Sequence, residues 1–586
     1  MMPLRVPRRA GATVLATLAL LSASVGGAQT PELDILIRGG RVIDGTGNPW
    51  IRYDIGIRGD EIVAIGDLDK ASARRIIDAR GLYVTPGFID IHSHADRGMT
   101  SDNAEARRAG SLVSQGLTTA VSASDGTNRV WPLSSEIAAY ERGGIPMNAV
   151  LMVGHSTVRS AVMGNDYERA ATPNEITKME ALVRAGMEAG AWGLTAGLEY
   201  RPARFSTTQE IVALAKEVRP YNGFYIAHQR SEARMPMWQL PSLVNDRPVN
   251  GLQGLEETIT VARETGIRVV ASHQKSRGRS SFGRSANDTI VVNRARAEGL
   301  QVYFDVYPYE TFGDGPQLLL PRWALVDDGI DVSGGQDSPA LDREGVYGNA
   351  RVNLRRRWAD PVKRPILERD IAWLIDHFGG ADRIFVVDYP DRSYVGKTVE
   401  DLARAKGKTV EEIVVDMALE GNKDMPGGAR VRGNAMLDID IANYIRQPYT
   451  ATSSDASVGG VAGVPPYMGP GAHPRHFGNF PRNIAHFVKD LQVITLPFAI
   501  HAMTALPAQI IGLKDRGMLR EGFKADIVIF NLETLRDRAT TLEPFRPSEG
   551  IEFVLVNGQF TVDGGKLTGA LPGKVLRRGE NRIPRS

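Results

Sequence analysis

The chain contains no cysteine among its 586 residues. Disulfide bonds, thiolate metal ligands and lipid attachment through a cysteine are therefore excluded. The chain also lacks an excess of either charge, because 70 Lys and Arg residues face 68 Asp and Glu residues. A protein dedicated to nucleic acid normally carries a clear basic excess. The near balance, with a formal net charge of +2, therefore predicts no nucleic-acid partner.

Long apolar runs are missing beyond the N-terminus. There, three arginines within residues 5–9 precede an apolar run at 10–21, and small residues follow at 26–28. This order is typical of a secretory signal peptide, and the run is too short to span a membrane comfortably. We expect residues 1–28 to be removed, leaving an exported protein, periplasmic or secreted, with no membrane partner. An uncleaved anchor is the alternative, and Arg8-Arg9 leaves a twin-arginine export route open.

Both chain ends are predicted to be rich in β-structure. Short apolar runs separated by turn residues such as Asp-Gly and Gly-Asn recur near the two termini. They lie at 34–38, 55–58, 62–65, 525–530, 553–558 and 559–562.

The middle of the chain alternates between helical and strand patterns. Apolar residues recur at helical spacing after Thr172, which forms a capping-box pattern with Glu175 and has Pro173 at the first helical position. Such helices separate eight short apolar runs of the kind expected for strands buried on both faces. These runs lie at 88–91, 117–121, 150–153, 193–195, 224–227, 269–272, 302–306 and 451–454. The alternation predicts an α/β fold with a (β/α)8 TIM-like barrel.

The interval before the eighth strand is much longer than the others. It separates Tyr309 from Ala451 and exceeds any single loop between a strand and a helix. We therefore predict an insertion at 310–447 that covers the mouth of the barrel.

Residues of metal-ligating types stand at the predicted carboxyl ends of four strands, where barrel enzymes carry their sites. His92 and His94 follow the first strand and, being two residues apart, project from the same face. His228, His273 and Asp455 end the fifth, sixth and eighth strands. Four of only ten histidines thus fall at three strand ends. Such a set of nitrogen and oxygen donors favours zinc, with manganese or cobalt as alternatives.

Several stretches resemble a known family. The octapeptide at 87–94, Gly-Phe-Ile-Asp-Ile-His-Ser-His, resembles the opening signature of the amidohydrolase superfamily. One branch, the N-acyl-D-amino-acid deacylases (D-aminoacylases), is similar over further stretches, at 272–275, 305–309, 473–475, 514–517 and 549–558. The resemblance extends over nearly the whole chain that follows the N-terminal segment.

The resemblance implies a domain organisation and a ligand set. A metal-dependent barrel would occupy 86–505, including the insertion at 310–447, and a small β-sandwich would be built from 29–85 and 506–586. The implied metal ligands are His92, His94, His228, His273 and Asp455.

The chain departs from this family at one ligand. D-aminoacylases place a metal-bridging Cys within a Gly-Asn-Cys-Gly stretch, and the corresponding stretch here is Ala-Ser-Asp-Gly at 123–126. We expect Glu199, just after the fourth strand, to bridge two zinc ions, because other amidohydrolases bridge with a Glu or a modified Lys on that strand. Asp125 is the alternative bridge, although Asp-Gly is also common turn chemistry. A site without a bridge is the third possibility, so one or two ions are expected.

Substrate-binding residues follow from the chemistry of an N-acylated amino acid, which carries a free carboxylate. Lys275 and Arg475 are expected to bind that carboxylate, with Tyr200 as a further candidate. His155 or a tyrosine is expected to polarise the acyl carbonyl. Tyr307 is interpreted either as a pocket residue or as part of the core.

The expected function is hydrolysis of the amide bond of N-acyl-D-amino acids or related N-acylated amino acids. Asp455 is expected to act as general base and then as general acid. A dipeptidase or a cyclic-amide hydrolase would use the same metal chemistry, and a metal-free binding protein on a barrel scaffold is an alternative of another class. The expected partner is a small N-acylamino acid. The acyl group, the D or L preference, the metal identity and the oligomeric state stay open.

Overall fold

The computed structural model describes residues 32–243, 248–315, 317–332, 335–460 and 471–580. The predicted signal peptide at 1–28 lies outside the described residues. Within these ranges, no helix is both long and apolar enough to cross a membrane.

One nine-stranded sheet joins the two ends of the chain, as their shared β-patterns predicted. Its strands are Leu33–Val42, Ile51–Arg58, Glu61–Gly66, Ala73–Asp78, Tyr83–Pro86, Ile527–Phe530, Ile551–Val556, Gln559–Asp563 and Lys566–Leu567. The two ends meet where Tyr83–Pro86 pairs antiparallel with Ile527–Phe530. Isoleucine, leucine and valine side chains from both ends share one buried cluster, so the two ends stabilise each other through this sheet.

Eight parallel segments make up the centre of the molecule. They are Phe88–Asp90, Leu117–Val121, Asn148–Val150 with Val153–Gly154, Gly193–Gly197, Phe224–His228, Arg268–Ala271, Val302–Val306 and Thr450–Thr452. We number them first to eighth in chain order. Each pairs in parallel with the next one along the chain, and the third does so through its two short pieces. Every residue in these segments is buried, as the continuous apolar runs predicted.

Backbone contacts also link the first segment to the eighth. The amide of Asp455 donates to the carbonyl oxygen of His92 (2.8 Å), and the amide of His94 donates to that of Ala456 (2.9 Å). A parallel bridge between His94 and Ser457 follows. The carboxyl ends of the first and eighth segments therefore lie side by side.

Helices connect the parallel segments, which confirms the α/β class. The helix after the third segment has the predicted capping box, in which Thr172 and Glu175 satisfy each other's backbone amides. The principal connecting helices are Leu133–Gly143, Pro173–Glu188, Thr208–Lys216, Gly251–Thr265, Ser285–Ala297 and Asp438–Ile445, and the helices Leu496–Met503 and Ala505–Ile511 follow the eighth segment.

The long stretch before the eighth segment has a hydrophobic core of its own. It contains an antiparallel strand pair and four helices, which are Ile384–Asp388, Arg430–Gly433, Ala350–Ala359, Arg364–His377, Val399–Lys406 and Val410–Glu420. Two helices near the predicted boundaries instead pack against the parallel segments. They are Asp438–Ile445, inside the predicted insertion, and Ala505–Ile511, which spans the predicted boundary at 506.

Candidate metal centre and its cavity

The structure brings all five predicted strand-end ligands together. His92, His94, His228, His273 and Asp455 are all buried at the carboxyl end of the parallel segments. Asp455 Oδ1 lies 3.5 Å from the Nε2 of His92 and 3.3 Å from that of His94. His228 Nδ1 lies 3.1 Å from His273 Nε2. The cluster thus has two halves. His92, His94 and Asp455 form one half at the ends of the first and eighth segments, and His228 and His273 form the other at the ends of the fifth and sixth.

Asp125 lies between these two halves. Its Oδ1 is 3.6 Å from the Nε2 atoms of both His92 and His273 and 3.8 Å from His228 Nδ1. Its Oδ2 is 3.4 Å from His94 Nε2. One carboxylate therefore faces four imidazoles.

Glu199 does not bridge the cluster, and the prediction that it does is wrong. Its Oε2 accepts from the Nε2 of His228 (2.8 Å), on the side of that ring away from the other imidazoles. Its Oε1 accepts from Arg277 Nη2 (2.7 Å) and from the amide of Met237 (2.6 Å). The side chain is buried behind His228 because these donors satisfy both of its oxygens. The alternative, Asp125, occupies the central position.

The outer nitrogens of three imidazoles face hydrogen-bond acceptors. His228 Nε2 faces Glu199, and His273 Nδ1 lies 2.8 Å from Glu232 Oε1. His92 Nδ1 contacts the hydroxyl of Ser272, which itself donates to Asp305 Oδ2 (2.8 Å). At His92 and His228 these partners hold the ring proton on the outer nitrogen, so the nitrogen that faces the cluster keeps its lone pair for a metal ion.

A buried network of charges supports the half formed by His228 and His273. Lys275 Nζ and Arg277 Nη1 each donate to Glu232 at 2.9 Å, and Lys275 Nζ also lies 2.6 Å from His273 Nδ1. Sequence reasoning missed Glu232 and Arg277. The only local signal was their spacing, since Glu232 lies four residues after His228 and Arg277 lies four residues after His273.

Arg475 lies between two carboxylates beside the other half. Its Nη1 donates to Asp455 Oδ2 (2.6 Å) and its Nη2 to Asp314 Oδ1 (2.7 Å). Asp455 therefore has one oxygen towards the imidazoles and one held by a guanidinium. Asp314, at the start of the predicted insertion, could not be identified from any local sequence pattern.

A cavity of about 370 Å³ opens directly over the cluster. Tyr200, Lys275 and Arg475, all predicted for substrate binding, line it. Its polar and charged lining residues are His94, Asp96, Arg97, Ser124, Asp125, Thr127, Arg129, Tyr200, Arg201, His228, Glu232, His273, Lys275, Arg277, Asp314, Asp455 and Arg475. The volume fits a small molecule, as predicted from the chemistry.

The other two predicted substrate residues lie elsewhere. His155 does not line this cavity, because its buried ring turns away and its Nε2 bonds to Glu210 Oε1 (2.8 Å). A direct role for His155 in polarising the carbonyl is therefore wrong. Tyr307 lies behind the cavity wall, with its ring 5.1 Å from Lys275 Nζ and 5.0 Å from the guanidinium carbon of Arg475.

The electrostatics of the cluster favour a divalent cation. Burial opposes ionisation of Asp125, yet the imidazoles of His273 and His94 hold its pKa well below the usual range. Burial likewise opposes ionisation of Asp455, and the charge of Arg475 outweighs it and keeps that pKa well below the usual range. The same two carboxylates raise the pKa of His94 to about 9 against the effect of burial. Both carboxylates therefore stay ionised at neutral pH, and ionised carboxylate oxygens are ligands for divalent cations.

Two unsatisfied atoms show that the residues fit a metal. His92 Nε2 and Asp125 Oδ1 are buried and have no hydrogen-bond partner in the described part of the chain. Buried polar atoms normally have partners, so this pair requires an explanation. A set of imidazoles and carboxylates with free inward lone pairs is the donor set of a zinc site.

The chain is similar to known proteins over most of its length. A model of the amidohydrolase family matches residues 75–233 and 397–562. A D-aminoacylase from Alcaligenes xylosoxydans xylosoxydans is 31% identical over 568 residues, which cover 93% of this chain and 98% of that protein.

Two solved structures are similar to this chain over the same share of its length as the D-aminoacylase sequence. A D-aminoacylase with a binuclear metal centre is 29% identical, with a TM-score of 0.66, over 93% of this chain and 100% of that one. An N-acyl-D-glutamate deacylase from Bordetella bronchiseptica, in complex with zinc and a phosphonate that mimics the tetrahedral intermediate, is 28% identical. Its TM-score is 0.67, and the match covers 93% of this chain and 100% of that chain.

Proposed function

The chain belongs to the amidohydrolase family, and we propose that it is a zinc-dependent hydrolase of N-acyl-D-amino acids. It cleaves the amide bond and releases a carboxylic acid and a free amino acid. The observation that carries this function is the convergence of four histidines and two aspartates under a cavity sized for a small molecule. Relatives that are similar over nearly their whole length are deacylases of this substrate class.

The proposed architecture extends the observed α/β fold. The eight parallel segments form one closed (β/α)8 barrel, supported by the backbone contacts between the first and eighth segments. The sheet built from both termini forms a small sandwich domain, and the stretch with its own core is the insertion before the eighth strand. The packing of the boundary helices supports an insertion that ends before 438 and a barrel that continues to 511.

The metal ligands and Asp455 have separate roles in the proposed hydrolysis. A divalent cation in this cluster supplies Lewis-acid polarisation and lowers the pKa of a water molecule towards neutrality. Asp455 takes the proton of the attacking water and passes it to the leaving nitrogen. Its position suits this role, because one oxygen faces the cluster while Arg475 orients the other.

Tyr200 is the group best placed to stabilise the developing oxyanion, in place of His155. Its ring lies 4.4 Å from that of His228 and lines the cavity. Burial, followed by the charge of Asp125, raises the pKa of its hydroxyl well above the usual value. The hydroxyl therefore stays protonated at neutral pH and can donate a hydrogen bond.

The cavity wall suits an anionic substrate. Six cationic side chains line it, namely Arg97, Arg129, Arg201, Lys275, Arg277 and Arg475. Arg475 and Lys275 lie closest to the cluster through their contacts with Asp455 and His273, which supports their role in binding the substrate carboxylate. Tyr307 lies beside both cations and supports their orientation.

Export of the protein also stays a proposal, supported by the pattern of residues 1–28 alone. The experiment that tests the function is a hydrolysis screen of zinc-loaded protein with paired N-acetyl-D- and N-acetyl-L-amino acids, dipeptides and a cyclic diamide. Release of free D-amino acid from the N-acyl-D series supports the proposal. Turnover confined to the dipeptides or to the cyclic diamide would replace it with one of the two alternatives that share the metal chemistry.

A further inference from the structure

We propose that Asp125 is the ligand shared by two metal ions in this centre, so that a carboxylate does the work of the thiolate that a cysteine-free chain lacks. The inference rests on the proposed function, because it concerns the same metal centre. It concerns only which side chain joins the two halves of the cluster, and it is tested by a measurement on the metal ions themselves.

Three of the four distances around Asp125 match those between two ligands of one ion, and all four are longer than an ordinary hydrogen bond. Its oxygens lie 3.4–3.8 Å from four imidazole nitrogens. Two ligand atoms that each lie about 2.0–2.2 Å from a tetrahedral zinc ion are separated by about 3.3–3.6 Å. A hydrogen bond between nitrogen and oxygen would be about 2.7–3.2 Å long. The arrangement therefore leaves room for ions between these atoms.

The oxygens of Asp125 lie within 3.8 Å of imidazoles in both halves of the cluster, whereas Asp455 comes that close only to His92 and His94 among the cluster histidines. His92, His94 and Asp455 form one set around the oxygens of Asp125, with separations of 3.3–3.6 Å. His228 and His273 form the second set around Asp125 Oδ1. A carboxylate can hold two divalent cations a few ångströms apart through its two oxygens.

The unsatisfied state of Asp125 Oδ1 points in the same direction. This oxygen is buried and has no hydrogen-bond partner among the described residues, although nitrogens of three imidazole rings lie within 3.8 Å of it. By contrast, both oxygens of Glu199, the other acid near the cluster, are occupied by donors from His228, Arg277 and Met237. Leaving a buried carboxylate oxygen without a partner is unfavourable unless a cation occupies the space beside it.

The backbone around Asp125 is built to hold it there. Asp125 has a φ of 57°, in the left-handed region that residues other than glycine adopt rarely. The turn packs closely against the ends of two strands. A Cβ on Gly197 would lie only 2.4 Å from the carbonyl oxygen of Asp125, so no side chain fits there. A Cβ on Gly154 would lie 2.4 Å from that of Gly126. Uncommon backbone conformations that the surroundings enforce are concentrated at functional sites.

The absence of cysteine makes a direct spectroscopic test available. In the Asp125→Cys variant the new thiol is the only one in the chain, so a thiolate-to-Co²⁺ charge-transfer band in the Co²⁺-loaded protein would come from residue 125 alone. We expect this band in Asp125→Cys and no band in the wild type. Ser124→Cys is the matched control, since it places a thiol one residue away in the same turn, and it should show no band.

A second variant measures the role of the native side chain. Asp125→Asn keeps the size of the residue and removes the charge, and we expect it to bind one ion fewer than the wild type after dialysis. Alternatively, its weaker ion should be bound more than about tenfold less tightly, since loss of an outer partner alone costs 10–100-fold in metal affinity. Metal content by mass spectrometry and chelator competition measure both, and circular dichroism checks the fold.

Three results would overturn the inference. They are a Co²⁺-loaded Asp125→Cys protein without the band, a band in Ser124→Cys alone, and an Asp125→Asn protein that keeps the metal content and affinity of the wild type. A wild type that binds ions but hydrolyses no N-acyl-D-amino acid would contradict the proposed function and leave the inference supported by the band. A wild type that binds no divalent cation would overturn both.

Discussion

Replacement of Asp455 by Asn should abolish most of the turnover while leaving the fold intact. In the native cluster, Oδ1 of Asp455 lies 3.3–3.5 Å from two imidazole nitrogens and Oδ2 accepts from Arg475 at 2.6 Å. An asparagine has nearly the same shape, and its carbonyl oxygen can still face the imidazoles. Its amide nitrogen, however, would face the guanidinium with donor against donor, and the side chain can no longer accept a proton.

The expected loss follows from the two roles assigned to Asp455. Proton transfer by a positioned acid or base contributes about 10²–10⁴-fold to a rate. With 1.36 kcal/mol per tenfold change, this corresponds to about 2.7–5.4 kcal/mol of activation free energy. We expect kcat to fall by that factor at saturating zinc. Because Lys275 and Arg475, the proposed ligands of the substrate carboxylate, are unchanged in this variant, KM should change much less.

Asp314 offers the matched control for this experiment. It accepts from the other nitrogen of Arg475 at 2.7 Å but has no contact with His92 or His94 within hydrogen-bonding distance. Asp314→Asn therefore removes a comparable ion pair without removing the proposed base, and it should affect KM more than kcat. Steady-state kinetics with an N-acetyl-D-amino acid, at equal metal content in all proteins, measures both. An Asp455→Asn enzyme within tenfold of wild-type kcat, or an Asp314→Asn enzyme equally inactive, would refute the assignment.

Three further predictions concern the metal and its supports. Removal of metal by a chelator should abolish hydrolysis and lower the midpoint temperature of thermal unfolding, because the buried carboxylates then repel one another. Added zinc should restore both the activity and the midpoint. Activity that survives complete removal of the metal would contradict the metal mechanism. Glu232→Gln removes the negative charge that compensates Lys275 and Arg277 and should lower the free energy of unfolding in urea by about 3–5 kcal/mol. A decrease below about 1 kcal/mol would show that this charge network contributes little to stability. Gly197→Ala should displace the turn of Asp125 and lower the metal content, whereas Gly579→Ala, with no atom within 4 Å of the added carbon, should not.

The local patterns of this chain could be predicted from the sequence. The eight buried segments, the capping box at Thr172 and the β-rich ends all follow from the period and composition of short windows. The four histidines and Asp455 could be named for the same reason, because a strand end can be located from local pattern and parallel strands bring their carboxyl ends to one face.

The second layer of the site could not be predicted in this way. Glu199 and Arg277 meet across 78 residues, and His155 and Glu210 across 55. These pairings depend on which way each side chain turns after the strands have assembled. Spacing along the chain has no information about such distant partners, so the expected roles of Glu199 and His155 were wrong.

By itself, then, the sequence determined the order of strands and helices, the residue types at the strand ends and the absence of any sulfur ligand from cysteine. Only the tertiary structure separates Asp125 from Glu199 as the proposed shared ligand, because both acids follow strands and both have the right chemistry. The decision comes from the left-handed turn at Asp125, which directs its carboxylate towards the imidazoles, and from the buried donors that hold Glu199 on the far side of His228.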